Sequence, residues 1–186
     1  QDMVIGGFYL TEHVEGDKGE GRVFRHLWEA VRAYELPAGD PGHLSLHATI
    51  TLRPGAGVEP FNTTLGRALF QTALPADWAE RFADLDRPWL TRGRINRVVR
   101  KREMGEIVEL LSDHYDAVDV AKALDAIKNL CYRFASQSGL TVSIDDVRTP
   151  KAKRELLDKH EAAAEKVESQ FKRGIITDGE RRQQEV

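Results

Sequence analysis

Between two clusters of glycine and proline, residues 37–42 and 54–57, the sequence runs HLSLHATITL and alternates apolar with polar throughout. Leu44, Leu46, Ala48, Ile50 and Leu52 fall on one face at period two, the pattern of a half-buried strand. Val58 to Thr64 is expected to return as its hairpin partner across the loop RPGAG. The segment MVIGGFYLT, Met3 to Thr11, is short, apolar and rich in β-formers, and reads as a buried strand bent at Gly6-Gly7. Glu15 to Gly21 reads as a turn. Phe24, Leu27, Trp28, Val31 and Tyr34 recur at helical spacing up to Pro37, and Gly66 to Leu74 is a second helix candidate ending at Pro75. Residues 1–90 are thus expected to be mixed, with β-structure prominent.

Beyond Arg87 the period changes. Arg100 to Leu111 is a helix candidate, and Asp119 to Ser136 a stronger one, with Val120, Leu124, Ile127, Cys131 and Phe134 stepping by four, three, four and three. So regular a stripe is a core face. Ser138-Gly139 should end it, since glycine enters the left-handed conformation of a helix cap without penalty. LTVSID follows with strand alternation. Thr149-Pro150 reads as N-cap and first helical residue of a long helix reaching about Arg173. Its seam, Leu157, His160, Ala164, Val167 and Phe171, is narrow enough to want a single partner helix. Gly174 breaks the run, and Thr177-Asp178-Gly179-Glu180 is a capping box opening a second helix. That second arm extends about 13 Å against about 35 Å for the first. The fold expected is α+β: a β-containing portion over 1–90, helices ending in a strand over 91–147, and a projecting, truncated antiparallel helical hairpin over 148–186. The short second arm, and a start at Gln1 rather than Met, suggest a piece of something longer.

The chain has 186 residues and a net charge of -3, which removes any whole-molecule attraction to nucleic acid or anionic lipid. Met3 to Leu10 is far below the roughly 20 apolar residues of a spanning helix, and no basic segment precedes it. No membrane partner is expected. A single cysteine, Cys131, can neither staple the chain nor build a structural zinc site, and reads as a small buried hydrophobe in a reducing cytosol.

Few groupings nominate chemistry. His43 and His47 would share a metal on a helix, but at a strand's period they stand about 13 Å apart and face solvent. Asp145-Asp146 and Asp84-Leu85-Asp86 lack a third ligand at useful spacing, so turn and capping roles are expected. Ser136, Ser138 and Ser143 lack a nucleophile elbow, and Gly16 to Gly21 matches no phosphate loop. No catalytic residue and no metal ligand is assigned; a hydrolase around Asp145, Asp146 or His47 is the remotest reading. A more substantial feature is Arg87, Arg92, Arg94, Arg97, Arg100, Lys101 and Arg102, seven cations with no acid among them. Either they meet phosphates, as in a stand-alone nucleic-acid-binding module, or Glu103, Glu106 and Glu109 balance them at a solvated helix entry. The long helical pair likewise has two readings, a packed core element or an arm gripped by a partner. Mixed charge around its thin seam and apolar residues at the turn Arg173-Gly174-Ile175-Ile176 favour the arm.

Five ordered blocks carry a resemblance: QDMVIGGFYLT at the start, LHA at 46–48, TTLGR at 63–67, SGLTVSIDD at 138–146 and GIITDGER at 174–181. Together they resemble the largest, beta-prime subunits of bacterial DNA-directed RNA polymerase, over nearly the whole chain. The resemblance implies a segment just downstream of the loop Asn-Ala-Asp-Phe-Asp-Gly-Asp that holds the catalytic magnesium. That motif does not occur in this sequence, so no cofactor is expected here and the segment alone should be inactive. The resemblance further implies a cytoplasmic protein that contacts other polymerase subunits, and DNA and RNA only through the parent enzyme. It implies a wall of the secondary channel, which admits nucleoside triphosphates and backtracked RNA, with Gln1 and Asp2 near its inner end. The helical pair would form the channel rim, docking Gre-type factors through Phe171, Arg173, Gly174, Ile175, Ile176, Thr177 and Glu180. Members that bind guanosine tetraphosphate carry lysine, tyrosine and asparagine where this chain has Val118, Asn129 and Gln183; Asp125 and Glu180 are retained. Loss of a phosphate-pairing cation and an aromatic platform predicts little or no binding there.

Overall fold

The stretch expected to be the first strand is a helix, α1 (Asp2–Thr11). A short apolar run bears no period that separates a buried strand from a buried helix, and the glycine pair serves close packing instead of a bend. A Cβ on Gly6 would lie 1.8 Å from the carbonyl oxygen of Cys131, so only glycine lets α1 settle against α6 (Ala117–Ser138). On its other side α1 meets α3 (Leu65–Gln71), where a Cβ on Gly66 would lie 1.7 Å from the Leu10 carbonyl.

A computed structural model describes residues 1–53, 59–141 and 143–185. They form two compact units, Gln1–Leu140 and Thr141–Val186. In the larger unit, β1 (Val23–Phe24) precedes α2 (Leu27–Glu35), and β2 (Thr49–Leu52) is followed by β3 (Phe61–Thr64). The sheet order is β1-β2-β3. β1 runs parallel to β2, with Val23 opposite Thr51, and β2 pairs antiparallel with β3 from Thr49–Thr64 to Leu52–Phe61. The hairpin partner is therefore as expected, although residues 54–58 of its loop lie outside the described residues. Leu44, Leu46, Ala48, Ile50 and Leu52 are all buried, yet only the last four residues of HLSLHATITL are strand. The backbone before them is shared among separate segments: Leu44 N–H bonds the Ala33 carbonyl, Ser45 N–H the Lys18 carbonyl, and the His47 carbonyl accepts from Val14. Phe24 lies in β1 and not in the following helix, whose buried face is Ala30 and Ala33.

α4 (Trp78–Arg81) leads to a two-stranded ribbon, β4 (Leu90–Thr91) with β5 (Arg94–Ile95), and then α5 (Lys101–His114). Both long helices, α5 and α6, stand where periodicity places them. Ile127, Cys131 and Phe134 are buried on α6, but Leu124 is exposed and Ala123 takes its place on the buried face. Gly139 caps α6 at φ 64°, in the left-handed region. The core of this unit is built on Leu10, Leu44, Ile50, Leu65, Phe70, Trp78, Val99, Ile107 and Leu111, all fully buried.

In the smaller unit the strand expected from LTVSID is absent among the described residues; Val142 lies outside them. Ile144–Asp146 form a 3₁₀ turn instead, because Ser143 accepts from Asp145 N–H at 3.3 Å and the Asp146 carboxylate accepts from Ser143 N–H at 2.8 Å. Such local bonds compete directly with a ladder. The long helix α7 (Lys153–Lys172) begins three residues later than expected, with Ala152 at its N-cap and the Lys153 N–H bonded to the Pro150 carbonyl at 3.1 Å across the turn before it. α8 (Asp178–Glu185) returns against it.

Candidate functional site

Two local devices fix the turn between α7 and α8. Gly174 takes φ 71°, its N–H bonds the Phe171 carbonyl at 2.8 Å, and Ile175 N–H reaches the Gln170 carbonyl at 3.0 Å. These two bonds form a complete Schellman motif, which satisfies carbonyls the end of α7 would otherwise leave open. Three residues on, the Glu180 carboxylate accepts from Thr177 N–H at 2.8 Å and from its hydroxyl at 2.9 Å, while Thr177 Oγ1 accepts from Glu180 N–H at 3.3 Å. The backbone and hydroxyl donors of Thr177 hold the Glu180 carboxyl below its usual range.

Arg181 ties the two helices together. It pairs with Asp178 at 2.8 Å and approaches Glu168 to 3.9 Å, and its guanidinium lies over the Phe171 ring at 5.1 Å. The sequence reading missed this residue; its signal was the spacing Asp178 to Arg181 on a short helix facing Phe171 across a tight turn. Ile175 is left 65% exposed at the apex, with Ile176 half-buried beside it and Arg173 exposed. The tip is thus an apolar point on a backbone pinned from both sides.

Gln1 and Asp2 are exposed at the start of α1. Asp125 and Asn129 lie one turn apart on α6, both exposed, and Asp125 accepts from Lys128 at 2.6 Å. Glu180 is engaged in the capping box, and Gln183 is exposed on α8. His43 and His47 sit on irregular, half-buried backbone instead of a solvent-facing strand, and each has its own carbonyl partner: Leu36 at 2.7 Å and Tyr9 at 2.6 Å. Asp146 caps the 3₁₀ turn. Among the described residues no three His, Cys, Asp or Glu side chains gather where they could hold a metal ion.

The basic run is divided by the fold. Arg102 and Arg87 share Glu106, at 3.0 and 4.0 Å, and Trp89 Nε1 donates to the same carboxylate at 2.6 Å. Trp89 and Arg102 hold the Glu106 carboxyl below its usual range. Arg92 pairs with Glu59, and Arg94 stacks over Phe61 at 4.3 Å. Arg97, Arg100 and Lys101 have no carboxylate partner among the described residues.

Residues 1–147 match the family model described as RNA polymerase Rpb1, domain 3. The chain belongs to this family. Within it, the chain is 41% identical over 201 residues to the DNA-directed RNA polymerase subunit beta' of Thermobifida fusca (strain YX), an alignment covering 99% of this chain. Identity is 40% over 198 residues with the same subunit from Nocardioides sp. (strain ATCC BAA-499 / JS614), and 37% over 181 residues with that of Desulforamulus reducens, where 97% of the chain is covered. The chain spans 14% of the length of each of these relatives. The Rpb1 domain 3 match stops short of α7, whereas the 99% coverage takes in the tip as well. No helix among the described residues is long and apolar enough to cross a membrane.

Proposed function

We propose that the chain is a segment of the beta-prime subunit of a bacterial DNA-directed RNA polymerase, and that its work is geometric. It lines the secondary channel through which nucleoside triphosphates enter and backtracked RNA passes, and it presents the α7–α8 tip to Gre-type factors. It contributes no catalytic group. Catalytic magnesium belongs to another part of the parent enzyme, in the Asn-Ala-Asp-Phe-Asp-Gly-Asp loop, a motif that does not occur in this sequence. Other polymerase subunits are its constant partners, DNA and RNA meet it only in the assembled enzyme, and its place is the bacterial cytosol.

The observation that carries the docking assignment is the tip itself. Ile175 is 65% exposed on a turn fixed by the Schellman motif and the capping box. A rigid apolar point loses little conformational freedom when a partner covers it. Phe171, Arg173, Gly174, Ile176, Thr177 and Glu180 build and frame that point.

Replacing Ile175 by Asp in the assembled polymerase puts an unpaired charge at the centre of the contact. Affinity for a Gre-type factor should fall about tenfold or more, while the helix content stays unchanged, because the side chain is largely exposed and the turn is held by backbone bonds and the capping box. Unaltered factor affinity in a surface-binding assay would remove the tip from the contact.

A further inference from the structure

The fold assembles a second site that the sequence does not hold in one place. Arg67, on α3, lies outside the basic run. Its Nε donates to the Thr11 carbonyl at 2.9 Å and its Nη1 to the Asn96 carbonyl at 2.9 Å, so main-chain dipoles aim the guanidinium without neutralising it. Among the described residues no carboxylate pairs with it. Beside it opens a cleft of about 440 Å³ whose wall also contains Arg97, Arg100 and Arg102. That volume falls within the range of about 300–1,000 Å³ typical of small-ligand sites.

One acid, Glu103, reaches this cleft, and its carboxylate is spent on the N–H of Arg100 at 2.9 Å. Arg102 is shared with Glu106. Arg97 and Arg100 remain unpaired and exposed. Trp89 is also in the wall but is 2% exposed, with its indole N–H committed to Glu106, so it offers no ring face for a base to stack on. The chemistry that remains is convergent guanidinium without an aromatic platform, which suits phosphate oxygens and leaves bases unread.

We propose that the cleft formed by Arg67, Arg97, Arg100 and Arg102 binds phosphate groups, of a single-stranded polynucleotide backbone or of a compact oligophosphate, without base recognition. The assignment differs from the tip in location and in ligand. It also differs from a reading of the whole basic run, since Arg92 and Arg94 are occupied elsewhere and Arg67 joins from α3.

Fluorescence anisotropy of the full chain with a labelled decathymidylate tests it, with tripolyphosphate as competitor. At a slope of about 0.7 per phosphate contact, four guanidiniums give about a fiftyfold loss of affinity between about 50 and 200 mM salt. The double variant Arg97→Gln/Arg100→Gln should reduce that loss to about sevenfold and weaken low-salt binding about tenfold or more. Arg92→Gln, whose parent side chain is held by Glu59 away from the cleft, should bind as the unaltered chain does. Displacement by tripolyphosphate marks a compact ligand; oligonucleotide binding that tripolyphosphate leaves intact marks the backbone, and either supports the site. Salt-independent binding, no binding of either probe, or equal losses in Arg92→Gln and the double variant would overturn it.

Discussion

Thr11 is the residue on which three segments of the larger unit converge. Fully buried at the end of α1, it donates its hydroxyl to the Gly7 carbonyl at 2.7 Å and accepts the N–H of Val99 at 2.8 Å, while its own carbonyl takes Arg67 Nε. The hydroxyl therefore ties the entry of α5 to a helix 88 positions earlier in the chain. Thr11→Val keeps the volume and removes the oxygen, leaving Val99 N–H buried without an acceptor. A loss of about 1–3 kcal/mol in denaturant unfolding is expected, largely restored by Thr11→Ser. Nothing in the local sequence distinguishes Thr11 from an ordinary helix-end threonine, since its partner lies far away. Cys131 is the opposite case. Its apolar context already reads as a buried thiol, and burial pushes that thiol up to about 11.

Among elements, the legible ones are those whose pattern outlasts one turn of helix or one pair of strand residues. α5 and α6 carry apolar stripes over several turns, and the α7–α8 turn is written in adjacent residues, Gly174 and Thr177 to Glu180, so both follow from spacing alone. α1 does not: half a dozen apolar residues fit either period, and the meaning of Gly6 appears only when α6 is set beside it. Replacing Gly6 by Ala pushes a methyl group to 1.8 Å from the Cys131 backbone carbonyl oxygen, where no rotamer change relieves the clash. We expect this variant to lose about 3 kcal/mol or more, the upper end of overpacking, and to melt at clearly lower temperature. A small effect in calorimetry would mean that the two helices are not in close contact. Among the described residues of LTVSID no strand forms, for a different reason, since Ser143 and Asp146 satisfy the backbone locally.

For the whole molecule, the α+β class follows from the change of period along the chain, and the family follows from ordered blocks spread over nearly all of it. The phosphate cleft was only half legible: three of its arginines stand in the basic run, but the fourth, Arg67, arrives through the packing of α3 on α1. Peptide-matched mass spectrometry of a size-separated bacterial extract tests the segment assignment. The peptides should run in a polypeptide several times larger than 21 kDa, together with polymerase; a native chain near 21 kDa would contradict it. The seating of α1 on α6 also sets a clock for synthesis. Gly6 and Cys131 are about 125 residues apart, so at roughly 5–20 residues per second α1 waits about 6–25 s on the ribosome before its partner exists. Throughout that interval, even once α3 has been made, the α6-facing side of a nearly all-apolar helix has no surface to bury itself on, and it is a natural target for a chaperone that acts on nascent chains.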